Sequence, residues 1–184
     1  KVFEKTINYY SIAKKSKVNF RKYQKFLIKN KLFFKEVNLF KEVPTLEKSI
    51  LVKEKILNLN KTKKILIKKI RKNKIKLFLN KEFKKKDLIK YDKVLIATYS
   101  NNNSVLSKLG VKRLNAHKYQ LVEKIVIKLP RKFKKKSFVV MDGDFVCVDP
   151  YLGTDYHLLS DVKLSKLETV TSIFPKFASN KKRF

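Results

Sequence analysis

Two histidines, one cysteine and a close pair of aspartates are the side chains of this 184-residue chain best suited to acid–base, nucleophilic or metal chemistry. His157, in Asp155-Tyr156-His157-Leu158-Leu159, has the residue type of a general base, but a loop histidine packed against its neighbours is the simpler reading. His117 reads as an exposed residue. Cys147 lies between Val146 and Val148, in a strand, where a free cysteine behaves as a small apolar group. No His–acid pair stands beside it in sequence to activate a thiolate. Asp142 and Asp144 flank Gly143, and a turn explains them better than a metal does. One cysteine and two histidines give no zinc set and no internal disulfide, so a reducing cytoplasm is the simplest compartment. No motif among these residues selects a catalytic group.

The elements that must position them follow from periodicity and turn chemistry. Phe3, Ile7, Tyr10 and Lys14, then Phe20, Tyr23, Phe26 and Leu27, recur at three- and four-residue spacing, so the first forty residues read as helical. Pro44 marks a break. Ser49 to Val52 is a short apolar run. Asn58-Leu59-Asn60 starts a helix, with Asn60 read as its N-cap; it runs to about Lys72 and stops at Asn73. Ile75, Leu77 and Leu79 alternate with Lys76, Phe78 and Asn80 and read as a strand. Val94-Leu95-Ile96-Ala97 reads as a strand buried on both faces. Asn101 to Asn103 cap a short helix from Ser104 to Leu109, closed by Gly110 at C′. Tyr119 to Leu129 reads as one long strand and Pro130 to Lys136 as a basic loop. Phe138 to Met141 and Phe145 to Val148 flank Asp142-Gly143-Asp144 as an antiparallel hairpin. Asp149 to Ser160 reads as loop, and the tail Asn180 to Phe184 as a frayed basic end.

Charge separates the function classes less than its size suggests. The formal net charge is +32, which alone argues for nucleic acid or an anionic surface. Yet only five of the 47 basic residues are arginine, the residue preferred for bidentate phosphate and base recognition. The lysines are spread along the chain and accompany many Asn, Ile, Leu and Phe, the mixture that A/T-rich codons produce. Salt-sensitive, non-specific nucleic-acid binding is expected in either case. No helix-turn-helix, RNP-type or KH signature is present. No apolar run approaches the roughly 18 residues of a transmembrane helix. The only methionine is Met141, and the chain opens on Lys1, so it is read as a piece of a longer protein.

Four passages resemble the middle of FAD-dependent oxidoreductases of the D-amino-acid oxidase superfamily, the group that includes glycine and sarcosine oxidases. The likeness runs from roughly Ile50 to Lys163. Val52-Lys53-Glu54 with Asn58 and the helix through Ile70 is the first passage. Asn80-Lys81-Glu82-Phe83 is the second, where that family's chain passes the adenine of FAD. Tyr91-Asp92-Lys93-Val94-Leu95-Ile96-Ala97-Thr98 is similar to the family's D-x-V-V-x-A-T-G strand. The run Tyr119 to Val148 is similar to the substrate-domain sheet. The resemblance departs at Tyr99, which stands where glycine is expected.

This likeness implies an α/β (α+β) protein: part of a Rossmann-like FAD/NAD(P)-binding domain followed by a mostly antiparallel substrate-domain sheet. It divides the chain into a helical segment at 1–48, the distal part of the FAD-binding domain at 49–112, the substrate-domain sheet at 113–170 and a tail at 171–184. It implies FAD as cofactor in the complete protein, contacted by Glu82, Phe83, Ala97, Thr98 and Tyr99, and an amine or amino-acid-like substrate. For that substrate's carboxylate, Tyr119, Arg113, Tyr151, Tyr156 and His157 are the available side chains. The fingerprint G-x-G-x-x-G is nowhere in the 184 residues, so this chain by itself is expected to be inactive. Two other readings are a lysine-rich nucleic-acid-binding protein, resting on charge, and an inactive remnant of the same fold, resting on Tyr99.

Overall fold

The computed structural model describes residues 2–40, 42–141 and 145–178. The protein is mixed α/β with mostly β content, built round a large mixed sheet. It divides into two compact units, Lys1–Ile75 with Glu123–Ser165, and Lys76–Val122 with Lys166–Phe184. The chain therefore leaves the first unit, returns to it and leaves again.

In chain order the elements are β1 (Phe3–Lys5), β2 (Ile7–Ala13), α1 (Phe20–Lys29), β3 (Phe34–Val37), β4 (Leu46–Val52), β5 (Lys55–Leu57) and α2 (Leu59–Lys72). They continue with α3 (Asn102–Lys108), β6 (His117–Val122), β7 (Ile125–Lys128), β8 (Lys136–Met141), β9 (Val146–Pro150), β10 (Tyr156–Asp161) and β11 (Lys166–Ser172). Single-turn or short 3-10 helices cover Lys85–Lys90, Tyr99–Asn101 and Arg131–Phe133.

The first unit holds a seven-stranded sheet in the order β3-β4-β2-β8-β9-β10-β7. β2 and β8 run parallel, Tyr9 opposite Phe138, and the other pairs are antiparallel. The alternation of side chains along β2 sends Tyr10 and Ile12 to one face and Tyr9 and Ser11 to the other. On the Ile12 face, Ile50 and Val52 of β4 and Phe20 and Leu27 of α1 close a core with Tyr10, Tyr23, Phe34 and Met141 at its margin. Ile50 is 0% exposed; full burial of such a side chain contributes about 1.5–3 kcal/mol. Elsewhere in the unit Tyr9 stacks on Phe138 at 5.4 Å, and Phe40 and Phe133 meet Phe138 edge-on. Ser11 and Ser49, opposite one another and buried, share a 2.8 Å hydrogen bond between their hydroxyls.

Helix ends follow their capping residues. Asn19 opens α1 by accepting the Lys22 N–H at 3.0 Å. Asn58 opens α2 by accepting the Lys61 N–H at 3.0 Å, two residues before the N-cap expected at Asn60. Asn73 closes α2, its side chain donating to the Lys69 carbonyl at 3.0 Å. α2 buries none of its residues. Among the described residues no helix is long and apolar enough to cross a membrane.

The second unit pairs β6 with β11, antiparallel, with an irregularity between Lys166 and Glu168. Asn103 of α3, 3% exposed, donates at 2.8 Å to the carbonyls of both Asn115 and Ile173, tying the helix to the approaches of that ribbon. Gly110 follows the helix with φ +92°, the left-handed conformation expected of a C′ glycine.

Several sequence expectations are corrected. The helical reading of the first forty residues holds only for α1; β1, β2 and β3 are strands. The strands expected at Ile75 to Asn80 and Val94 to Ala97 are not formed: neither stretch pairs with another among the described residues, and Leu79 and Leu95 are 74% and 90% exposed. The single strand expected from Tyr119 to Leu129 is two, β6 and β7, belonging to different units. The loop expected from Asp149 to Ser160 contains the end of β9 and most of β10. The two arms of the expected hairpin are β8 and β9, paired antiparallel. Its turn, Asp142-Gly143-Asp144, and the tail from Asn180 lie outside the described residues.

Candidate functional site

In the first unit, chemistry-bearing residues gather where β10 starts. Pro150 ends β9, and the chain turns back through Tyr151 to Asp155. Thr154 holds that turn: its N–H and hydroxyl donate to the Tyr151 carbonyl, and the hydroxyl accepts the Tyr156 N–H at 3.1 Å. Gly153 takes φ +95°, a conformation a Cβ would strain. The turn delivers His157 into β10 between β9 and β7, opposite Pro150 and Ile127.

His157 is 3% exposed. Its Nε2 lies 3.2 Å from the Phe133 carbonyl oxygen. A carbonyl only accepts, so Nε2 carries a proton. That Nδ1 is buried and has no hydrogen-bond partner among the described residues. The Phe133 carbonyl is placed by the single helical turn Arg131–Phe133, which follows Pro130.

Two cavities meet this histidine. One, about 330 Å³, is bounded by the 150–157 turn with Glu4, Lys134 and Lys135. The other, about 350 Å³, is bounded by Lys128, Leu129, Arg131, Lys134, Asp155 and His157. Lys134 and Asp155 form a 2.8 Å ion pair between them. The Lys134 ammonium, hydrogen-bonded to Asp155, holds that carboxyl below the usual range, helped by the positive charges of Lys128 and Arg131. Glu4 accepts from Lys61 at 2.8 Å and from Asn58 at 2.7 Å, and lies 3.6 Å from Lys135. Those bonds, Lys61 first, lower it to about 2.

Within the same unit, Tyr10 donates to a Glu54 carboxylate oxygen at 2.5 Å, and burial followed by that carboxylate pushes the phenol well above its ordinary range. Cys147 is half-buried in β9; burial first, then Asp149, pushes its thiol up. It is a poor nucleophile in that setting. Among the described residues no group of three or more His, Cys, Asp or Glu is placed to hold a metal ion.

The residues the family likeness assigned to FAD all fall in the second unit. Glu82 is paired with Lys108, whose ammonium lowers its carboxyl. Phe83 lies against Tyr91 with ring centroids 6.0 Å apart, and both border a cavity of about 250 Å³ together with Phe78 and Lys81. Ala97 is exposed. The Thr98 N–H and hydroxyl both donate to the Asn102 side-chain oxygen, at 2.8 and 2.9 Å. Tyr99 has φ +54° and a side chain 93% exposed. It borders a different cavity, about 560 Å³, with His117, Tyr119 and Gln120 of β6 and with Phe177.

Glu82 and Phe83 thus face one cavity and Tyr99 another, and the Thr98 amide is already taken. These five residues alone do not make a flavin cradle. The side chains considered for a substrate carboxylate also divide. Tyr151, Tyr156 and His157 share the cavity at the 150–157 turn, while Arg113 and Tyr119 belong to the second unit. Tyr119 donates to the Ile173 carbonyl at 3.3 Å. Sequence reasoning missed Lys128, Arg131 and Lys134 at His157. For Arg131 and Lys134 the available signal was the run Pro130 to Lys136, read only as a basic loop.

Comparisons of the chain with protein-family models, with curated proteins and with solved structures find no match.

Proposed function

We propose that this chain is part of a flavin-dependent oxidoreductase acting on an amine or amino-acid-like small molecule, with FAD as the hydride acceptor. In this reading residues 113–170 form the substrate-domain sheet and residues 49–112 the distal part of a Rossmann-like nucleotide-binding domain. The flavin supplies the redox chemistry, and the nucleotide is held largely by chain beyond these 184 residues.

The observation that carries the reading is the backbone at Tyr99. The likeness expects glycine at that one position, after Val94 to Thr98. Its φ is +54°, the left-handed region that glycine enters freely. Tyr99 is one of six non-glycine residues with positive φ among the described residues, the others being Lys31, Phe40, Lys74, Asn80 and Lys135; such residues are a few per cent of non-glycine positions in general. At Tyr99 the likeness expects glycine, and the backbone takes a conformation that glycine enters freely. A second support is the path of the chain. The family likeness implies repeated crossing between its two domains, and this chain passes between its two units three times.

The test is to express the chain with its in-frame flanking sequence, purify it with FAD supplied, and record its visible spectrum. The reading expects flavin absorbance that bleaches anaerobically with an amine or amino-acid substrate. A folded, colourless protein with no FAD affinity would favour the inactive-remnant reading instead.

A further inference from the structure

The seven-stranded sheet ends in two short edge strands of different character. β3 carries Lys35 and Glu36 at its centre, both exposed, with Phe34 and Val37 partly buried. Charges so placed blunt an edge against further pairing. β7, the opposite edge, is Ile125-Val126-Ile127-Lys128. Its exposed apolar residues are Ile125 and Val126, at 58% and 55%. The hydrogen bonds of β10 fix which way the β7 backbone faces. The Tyr156 carbonyl accepts the Tyr151 N–H on the β9 side, so the next residue, His157, turns its N–H and carbonyl toward Ile127 of β7. Pro150, opposite His157 on β9, agrees with this, because it has no N–H to give. Alternation then points the N–H and carbonyl of Val126 and Lys128 away from the sheet. Neither residue has a backbone partner on that side among the described residues.

Two cations bracket this open edge. Lys124 immediately precedes β7 and Lys128 ends it, and neither has a salt-bridge partner among the described residues. They decide the occupant. A second copy of β7, paired antiparallel about Val126, would set Lys124 opposite Lys128, and like charges directly opposite destabilise a strand pair. The net charge of +32 opposes self-association as well. We propose that β7 takes up an extended acidic segment of another protein as an added antiparallel strand. Val126 and Lys128 supply the main-chain hydrogen bonds. Acidic side chains of the incoming strand lie opposite Lys124 and Lys128, two positions either side of an apolar residue facing Val126. The proposal uses none of the residues assigned to FAD or considered for a substrate carboxylate, so it stands or falls apart from the oxidoreductase reading.

The test is a 1H–15N titration of the 184-residue chain at low salt with a capped peptide, Ser-Glu-Ile-Val-Thr-Glu-Ser. The peptide is expected to shift the Val126 and Lys128 amides saturably and to slow their hydrogen exchange, while the Lys35 and Glu36 amides of β3 stay in place. The same peptide with Lys for Glu, and oligothymidylate as an anion without a peptide backbone, are expected to leave Val126 unprotected. Val126→Pro removes one outward N–H at an edge position, where proline is tolerated. It is expected to weaken peptide binding about five- to tenfold, the worth of one hydrogen bond. Lys124→Glu combined with Lys128→Glu keeps the backbone intact and is expected to reverse the preference in favour of the Lys peptide. The proposal is overturned if the Glu peptide leaves Val126 unprotected, if oligothymidylate protects it equally, if protection appears with protein concentration alone, or if the double charge reversal still prefers the Glu peptide.

Discussion

Replacing Tyr99 by glycine separates backbone from side chain at the position on which the family likeness turns. The Tyr99 side chain is 93% exposed, so its removal forfeits almost no burial. Its backbone, at φ +54°, is in the region where a Cβ crowds the carbonyl oxygen, a cost of about 1–2 kcal/mol for an L-residue. Glycine escapes that cost but surrenders about 0.5–1 kcal/mol more chain entropy on folding than alanine. The difference leaves Tyr99→Gly about 0–1.5 kcal/mol more stable than Tyr99→Ala, which keeps the Cβ. For a chain of 184 residues that is a rise of up to about 6 °C in melting temperature, at roughly 2–4 °C per kcal/mol. Thermal melts by circular dichroism on the wild type and both variants measure it. Tyr99→Ala is expected to match the wild type and Tyr99→Gly to exceed both. A glycine variant that melts below the alanine variant would refute the argument that this position selects for glycine.

Three further outcomes follow from the first unit. Ile50→Ala removes a side chain with no exposed surface between α1 and the sheet and is expected to cost about 2–5 kcal/mol, read from urea unfolding; a loss below 1 kcal/mol would contradict the packing of α1 over Ile50. Glu4 has its pKa lowered from 4.5 to about 2 in the folded protein, so its contribution to stability is present above about pH 4.5 and is lost as the pH falls towards 2. The stability gap between wild type and Glu4→Gln should therefore close over that interval, and a gap independent of pH would show that Glu4 does not act through its charge. Cys147, its thiol pushed up by burial and Asp149, is expected to react with a maleimide much more slowly than free cysteine at neutral pH; labelling at the free-thiol rate would show that β9 does not cover it.

What the sequence disclosed and what it hid have separate physical causes. Local signals were legible. Asn73 and Gly110 end α2 and α3 where expected, because caps act through hydrogen bonds and φ angles only a few residues apart. The arms of the hairpin around Asp142-Gly143-Asp144 are paired for the same reason. β2 was hidden because its buried residues include Asn8 and Ser11 beside Ile12, so apolar alternation fails along it. Its buried polar groups find partners on distant segments, Ser49 on β4 and the Glu54 carbonyl, which no local pattern announces. The parallel pairing of β2 with β8 joins residues more than a hundred positions apart and leaves no local trace. The turn before β10 carries Pro150, Gly153 and Asp155, and those loop signals masked the strand that starts one residue later.

At the candidate site, legibility failed differently. His157 was visible as a residue type, but its burial and its bond to the Phe133 carbonyl depend on β7 and β9 flanking β10. Arg131 was one basic residue among 47 in the sequence, and only the fold distinguishes it from the others. The converse holds at Val94 to Ala97. Its run of apolar residues reads as a buried strand, yet it has no ladder partner among the described residues. A strand of that composition is stabilised by neighbours on both sides, and on the proposed reading those neighbours belong to the part of the nucleotide-binding domain outside these residues.

That makes the coding sequence immediately upstream of Lys1 the most direct test of the central claim. The oxidoreductase reading predicts that the reading frame continues upstream through a strand, a G-x-G-x-x-G turn and a helix, with an acidic residue about twenty positions further on. A stop codon or an initiator methionine directly before Lys1 would contradict it, since the chain would then have no means of holding the FAD pyrophosphate.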